Sequence, residues 1–265
     1  MSLITTQDGI HLWYEEVGQG EPLLLVSGQG ADHTYWDGIR DDFADHYRVL
    51  VYDNRGTGQS DKPSAPYSTR GFARDAIALL DQLGIARAHV YGHSMGGRIS
   101  QWLGVDYGQR LGALVLGAST PGNAHGVARA VEVNALLTHV PTDPQEALKA
   151  LGSLIVTPAW LETHPENIKQ MSQAARIPQY VQRLHYQASE GHDSWDLLPT
   201  IGTPTLIIHG SDDELNPVAN ASLLAQRIPG AKLHIIKGGR HAYMFDFREE
   251  SSRVVNSFLA RHHLS

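Results

Sequence analysis

The chain has no cysteine, which excludes disulfides, thiolate metal sites, iron–sulfur clusters and a cysteine nucleophile. Long apolar runs are missing too: no stretch approaches the roughly 20 residues of a membrane span. The opening Met1-Ser2-Leu3-Ile4-Thr5-Thr6 lacks the basic-then-apolar pattern of an export leader. A cytoplasmic protein with no membrane partner is therefore expected. Positive charge is scarce. The formal net charge is −7 and no dense Lys/Arg run offsets it, so a nucleic-acid partner is disfavoured, because binding phosphates needs an excess of cations. Internal repeats and low-complexity tracts are absent. Histidine, with 15 copies, is the one metal-ligand type in surplus. His46, His89, His125, His139, His164 and His262 nevertheless lack ligand-like spacing and read as surface or structural residues, so no histidine metal site is expected.

What is present fits one α/β folding unit of 265 residues. Leu3–Thr6 and Ile10–Val17 read as a hairpin turning at Asp8-Gly9, at the sheet edge. Pro22–Val26 is continuously apolar, as a strand covered on both faces must be, and belongs in the sheet centre. Arg48–Tyr52, Ala88–Tyr91, Leu111–Leu116, Thr205–Gly210 and Lys232–Ile236 read as further core strands. Helical spacing marks Trp36–Tyr47, Ser68–Leu83 with Gly84 as its stop, the stretch after Ser94 to about Tyr107, Val218–Arg227 and Arg248 to about His262. Alternating strands and helices predict a doubly wound, mostly parallel sheet. From Thr120 to Asp196 strands vanish and prolines punctuate helical stretches such as Val127–Leu137 and Ala147–Val156. Residues 1–119 and 197–265 are thus expected to form the core, and 120–196 a helical lid.

The chemistry is expected at Gly92-His93-Ser94-Met95-Gly96-Gly97, where an apolar strand runs directly into a helix. A serine on so tight a turn has a strained backbone and an exposed hydroxyl, and the Met95 amide at the helix start can receive negative charge developing beside it. Ser27-Gly28-Gln29-Gly30, at the end of a central strand, offers Gln29 as a second oxyanion amide. Asp213, in the loop Gly210–Pro217, and His241, after Gly238-Gly239-Arg240, follow in the order Ser, Asp, His. Asp212 and Glu214 read as solvated loop acids.

These motifs, with Tyr52-Asp53-Asn54-Arg55-Gly56-Thr57-Gly58-Gln59-Ser60, resemble the α/β-hydrolase superfamily over nearly the whole core. Ser94-Met95-Gly96-Gly97, Gln101-Trp102 and Leu111–Leu116 are most similar to the 3-oxoadipate enol-lactonase group and its carboxylesterase relatives. Ser27-Gly28 departs from the His-Gly of many members. The resemblance implies that His241 takes the Ser94 proton, Asp213 orients His241, and the Gln29 and Met95 amides hold the oxyanion, in cofactor-free hydrolysis of a small carboxylic ester or lactone. Carbon–carbon bond hydrolysis, perhydrolysis and a ligand receptor on a hydrolase core stay open as alternatives. In the inserted segment, Arg176, Tyr180 and Arg183 are spaced to share a helix face that would suit a substrate carboxylate if Pro178 falls in the first turn. A solvated basic face is the competing reading.

Overall fold

The computed structural model describes residues 2–139, 143–164 and 177–264. Strands β1 (Ser2–Thr5) and β2 (His11–Val17) form the edge hairpin, with Ile4 opposite Leu12 and Gly9 at φ 82° in the turn. The apolar runs become β3 (Glu21–Val26), β4 (Tyr47–Tyr52), β5 (Ala88–His93), β6 (Leu111–Gly117), β7 (Thr205–Gly210) and β8 (Lys232–Ile236). All eight join one sheet in the order β1-β2-β4-β3-β5-β6-β7-β8. β2 runs antiparallel to β4, and every later pairing is parallel.

The helices in chain order are α1 (Asp41–Ala44), α2 (Thr69–Gln82), α3 (Met95–Tyr107), α4 (Val131–Thr138), α5 (Pro144–Ile155), α6 (Pro158–Thr163), α7 (Gln179–Glu190), α8 (Ala219–Arg227), α9 (Tyr243–Asp246) and α10 (Arg248–Leu259). Side chains alternate across a strand, so β3 serves two cores. Leu24 and Val26 join Phe72 of α2, Ile99 of α3 and Leu224 of α8 on one face, while Leu23 and Leu25 join Phe43 of α1 and Val255 of α10 on the other. All four β3 residues are fully buried. Truncating one of these leucines to alanine in such a core costs about 2–5 kcal/mol.

Two helical expectations are corrected. Trp36–Tyr47 is not one helix. A 3₁₀ turn over His33–Trp36, capped by the Asp32 side chain, is followed by the four-residue α1. The apolar spacing of Trp36, Ile39 and Phe43 reflects their shared burial, not a continuous hydrogen-bond ladder. The Val127–Leu137 stretch becomes helical only at Val131, because the Asn220 side chain takes both the Val127 N–H and its carbonyl. Between β6 and β7 the described residues hold α4 to α7 and no strand, only an isolated bridge from Gly122 to Asp193. This segment is tied to the core where the Ala242 amide meets the Ile155 carbonyl at 2.8 Å and Asp246 accepts the Thr157 amide at 2.8 Å. The carboxyl ends of β3, β5, β6, β7 and β8 therefore share one edge with this segment packed beside it, the edge at which open α/β sheets bind ligands.

Candidate active site

Ser94 is the N-cap of α3 and has φ 59° and ψ −118°, a left-handed backbone that a serine adopts only under constraint. The constraint is close packing of chain on chain. A Cβ on Gly92 would overlap the Gly96 carbonyl and the Ser100 hydroxyl, and one on Gly96 would overlap the Val26 carbonyl, so both glycines are needed for β5, β3 and α3 to approach. The Ser94 amide donates to the Gly117 carbonyl at 2.8 Å, and the Ser119 hydroxyl donates to the Ser94 carbonyl at 3.1 Å. The Gly28 backbone lies against the serine: a Cβ there would sit 3.3 Å from Ser94 Cβ. Among the described residues, neither the Gln29 nor the Met95 amide donates to a protein acceptor. Met95, as the first helical residue, has no intrahelical partner to give it.

His241 Nε2 lies 3.0 Å from Ser94 Oγ, and His241 Nδ1 lies 2.9 Å from Asp213 Oδ2. The sheet edge thus brings together the three side chains expected from the sequence, with Asp213 and His241 buried and Ser94 half-buried. Asp213 Oδ1 accepts the Leu215 and Asn216 amides, each at 2.9 Å. Burial by itself would raise the Asp213 carboxyl; the charge of His241 and the bonds from His209 and His241 outweigh that and hold it well below the ordinary carboxylate range. An ionised Asp213 requires Nδ1 of His241 to carry the proton, leaving Nε2 free to accept one from Ser94.

Sequence reasoning missed the residues that brace this arrangement. His209, on β7, has Nε2 at 2.7 Å from the Asn216 carbonyl and 3.1 Å from Asp213 Oδ2, with Nδ1 buried and unpartnered. Two acceptors on one nitrogen fix the Nε2–H tautomer. Its signal in the sequence was a histidine interrupting a wholly apolar strand. His93 Nε2 donates to the His241 carbonyl at 2.9 Å, and its Nδ1 accepts the Tyr35 hydroxyl at 3.0 Å. Burial, with the His241 charge adding to it, lowers His93 to about 3, so it braces the His241 loop as a neutral ring. His185 and His192, on the inserted segment, are buried as well, and His89, expected to be a surface or structural residue, is a fully buried structural one.

The described residues of the expected basic face are turned away from the site. Arg183 and Tyr186 are exposed, and Tyr180 spends its hydroxyl on the Lys62 carbonyl at 2.6 Å. Pro178 is the N-cap of α7, and Arg176 lies outside the described residues. The one metal-like group among the described residues is Asp32, His33 and Asp53, with ligand atoms within 4.8 Å of one another. Its carboxylates are engaged in shaping the loop, Asp53 Oδ1 accepting from the His33 amide at 2.7 Å and Asp32 Oδ1 from the Thr34 amide at 3.0 Å.

The sheet, the strained serine and its partners define a class, and comparison with known proteins agrees. The family described as alpha/beta hydrolase fold matches residues 21–247. The chain belongs to this family, and its fold is the α/β-hydrolase fold. It is 32% identical, over 96% of its length and 93% of the relative's, to a 2-hydroxy-6-oxononadienedioate/2-hydroxy-6-oxononatrienedioate hydrolase of Burkholderia vietnamiensis. It is 30% identical, over 88% of both chains, to RutD of Azorhizobium caulinodans, provisionally named a carbamate hydrolase. Among solved structures, Est816, described as an N-acyl homoserine lactone degrading enzyme, matches with a TM-score of 0.81 and 29% identity over 96% of this chain and 99% of that one. No helix among the described residues is long and apolar enough to cross a membrane.

Proposed function

We propose that the protein is a serine hydrolase that cleaves a small carboxylic ester or lactone through an acyl-enzyme. The observation that carries this reading is the 3.0 Å approach of His241 Nε2 to Ser94 Oγ, with Asp213 on the opposite ring nitrogen. In this reading Ser94 Oγ attacks the carbonyl carbon while its proton passes to His241 Nε2. The Gln29 and Met95 amides receive the oxyanion, and Asp213 stabilises the imidazolium. Collapse of the tetrahedral intermediate transfers that proton to the leaving alkoxide. Water, deprotonated by His241, then attacks the acyl-Ser94 carbonyl and releases the acid. Resemblance to the lactone-degrading structure supports the lactone side of this reading.

A second reading, hydrolysis of a carbon–carbon bond in a vinylogous diketone, is supported by the relative named as a dioate hydrolase. The test is a panel of short p-nitrophenyl esters, simple lactones, an enol-lactone acid and a vinylogous diketone, with Ser94→Ala alongside. Ester or lactone turnover is expected, falling by about 10⁴ or more in kcat in the alanine variant, together with fluorophosphonate labelling of Ser94. Full activity in Ser94→Ala would end the serine-hydrolase reading. Turnover of the diketone alone would transfer the protein to the carbon–carbon hydrolases.

A further inference from the structure

Arg98 is a buried charge that the proposed chemistry leaves unused. It stands one turn into α3, its amide 3.3 Å from the Ser94 carbonyl, and it is only 4% exposed. Helical side chains lean back toward the N-terminus of their helix, which directs this one toward the turn that carries Ser94. Nη1 donates to the Ser189 carbonyl at 2.5 Å and the Ser189 hydroxyl at 2.8 Å, in the last turn of α7. The other edge is unused. Nε is buried without a partner, Nη2 makes no hydrogen bond, and no described carboxylate lies within 4.0 Å of the guanidinium.

That edge binds carboxylates in a two-point fork at three other places in the molecule. Arg55 holds Asp75, Arg70 holds Asp106 and Arg248 holds Asp42, each through Nε and Nη2 together. Arg98 presents the same planar fork with no carboxylate in it, although a buried cation is costly unless paired. Burial lowers it to about 10, with Glu190 opposing and Arg129 adding to the shift, so it remains cationic at neutral pH. Arg129, half-buried in the link from β6 to α4, makes no ion pair among the described residues. Thr120, three residues past β6, adds a buried hydroxyl without a partner among the described residues, and its carbonyl is held by Gln101 of α3 at 3.1 Å. The α7 face that meets Arg98 also borders the oxyanion loop. His185, one turn before Ser189, accepts the Gly30 amide at 3.4 Å and reaches the Arg55 carbonyl at 3.0 Å. The nucleophile turn, the oxyanion loop and this unfilled fork are thus joined by α3 and α7.

We propose that Arg98 recognises the anionic end of the substrate from between α3 and α7, taking its carboxylate bidentately on Nε and Nη2 with Arg129 adding positive potential. The preferred substrates are then short acyl compounds that carry a second, free carboxylate: half-esters or lactones of dicarboxylic acids. The proposal rests on the serine-hydrolase reading for its substrate, but not for its anion site.

The experiment compares mono-p-nitrophenyl glutarate with p-nitrophenyl pentanoate, a neutral ester of matching chain length. The wild type should favour the acidic ester by about tenfold or more in kcat/KM, the size expected of a charge-assisted bidentate contact. Arg98→Met should bring that ratio to about one, chiefly through KM, and Arg98→Lys should restore part of it. Free glutarate should inhibit wild type competitively, and its binding to Ser94→Ala, measured by calorimetry, needs no catalysis. No acid preference and no glutarate binding in the wild type would overturn the proposal. So would an unchanged acid-to-neutral ratio in a folded Arg98→Met protein, since a purely structural clamp on α7 would depress both esters alike. If Arg98→Met does not fold, the wild-type ratio and the Arg98→Lys variant decide. Glutarate bound with every ester inert would leave the anion site standing and remove the esterase reading.

Discussion

Asp213 accepts from four donors and its neighbour Asp212 from one. Two backbone amides hold Oδ1 of Asp213 and two imidazoles share Oδ2, whereas among the described residues the carboxylate of exposed Asp212 meets only the Ser211 hydroxyl, at 2.6 Å. The two acids should therefore respond very differently to the same change. Asp213→Asn presents an amide to His241 Nδ1, favours the wrong tautomer and should lower kcat by about 10³–10⁴. Asp212→Asn should stay within about twofold, as surface substitutions do. Steady-state kinetics on any turned-over ester checks both, and equal losses would place the orienting acid elsewhere. His209→Phe removes one charge-assisted donor and leaves three, so kcat should fall by about tenfold with KM nearly constant. At this scale Ser94, Asp213 and His241 were legible from chain order and loop motifs. His209 was not, because its role depends on a strand residue facing a loop four positions later, a direction that spacing alone does not assign.

The β5–turn–α3 unit concentrates its constraint at two glycines. Gly96→Ala would drive a methyl into the Val26 carbonyl, and backbone cannot yield as a flexible side chain can. Overpacking of this kind costs about 1–3 kcal/mol or more. At roughly 2–4 °C per kcal/mol for a chain of this size, the melting temperature should fall by several degrees. Activity should fall further, because α3 and the loop leaving β3 carry the two proposed oxyanion amides and would be pushed apart. Gly38→Ala is the control: it is exposed, with nothing within 4 Å of a new Cβ, and should change neither melting nor activity. Thermal melts and kinetics of the pair test the argument, and a Gly96→Ala protein as stable and active as wild type would refute it. Elements with strong periodicity were legible: α2 is capped by Ser68 on the Gly71 amide at 3.0 Å and stops at Gly84 with φ 66°. In α7 the periodic face that proved buried is Val181, His185, Ala188 and Ser189. The opposite face, with Arg183 and Tyr186, is the solvated one. Polarity alone does not reveal which side of an amphipathic helix meets a polar interface.

Over the whole molecule, buried neutral histidines make stability depend on pH. Burial lowers His93 to about 3 and His185 to about 4, against an ordinary value near 6.5 in the unfolded chain. Between these values the unfolded chain binds protons that the folded one refuses, so stability is complete above about pH 6.5 and declines as the pH falls. Each histidine costs on the order of 1.4 kcal/mol per pH unit in that window. His33 acts in the opposite sense. Burial alone would lower it, but its bond to Asp53 raises it, so its contribution is present at acid pH and lost as the pH rises through its folded value. Burial also lowers His89, His192 and His262, so with five lowered histidines against His33 raised among the described residues, the melting temperature should drop steeply from pH 7 to pH 4.5. His185→Gln should flatten the slope, and a melting temperature constant over that range would contradict the account. By itself the sequence determined the sheet, through continuous apolar runs that only a strand covered on both faces can bury. It also determined the tight turn at Ser94, through glycines where one backbone must touch another. Both are local demands, written in adjacent residues. Tertiary structure alone decided which histidines are buried and neutral, which hold Asp213, and that Arg98 keeps an unfilled carboxylate fork. Two of those properties depend on partners 91 and 148 residues away along the chain, Ser189 for Arg98 and His241 for His93, and the hold of His209 and His241 on Asp213 depends on which way a strand and a loop face rather than on their separation. Only the folded packing sets the distances and the desolvation that give such side chains their charge and their use.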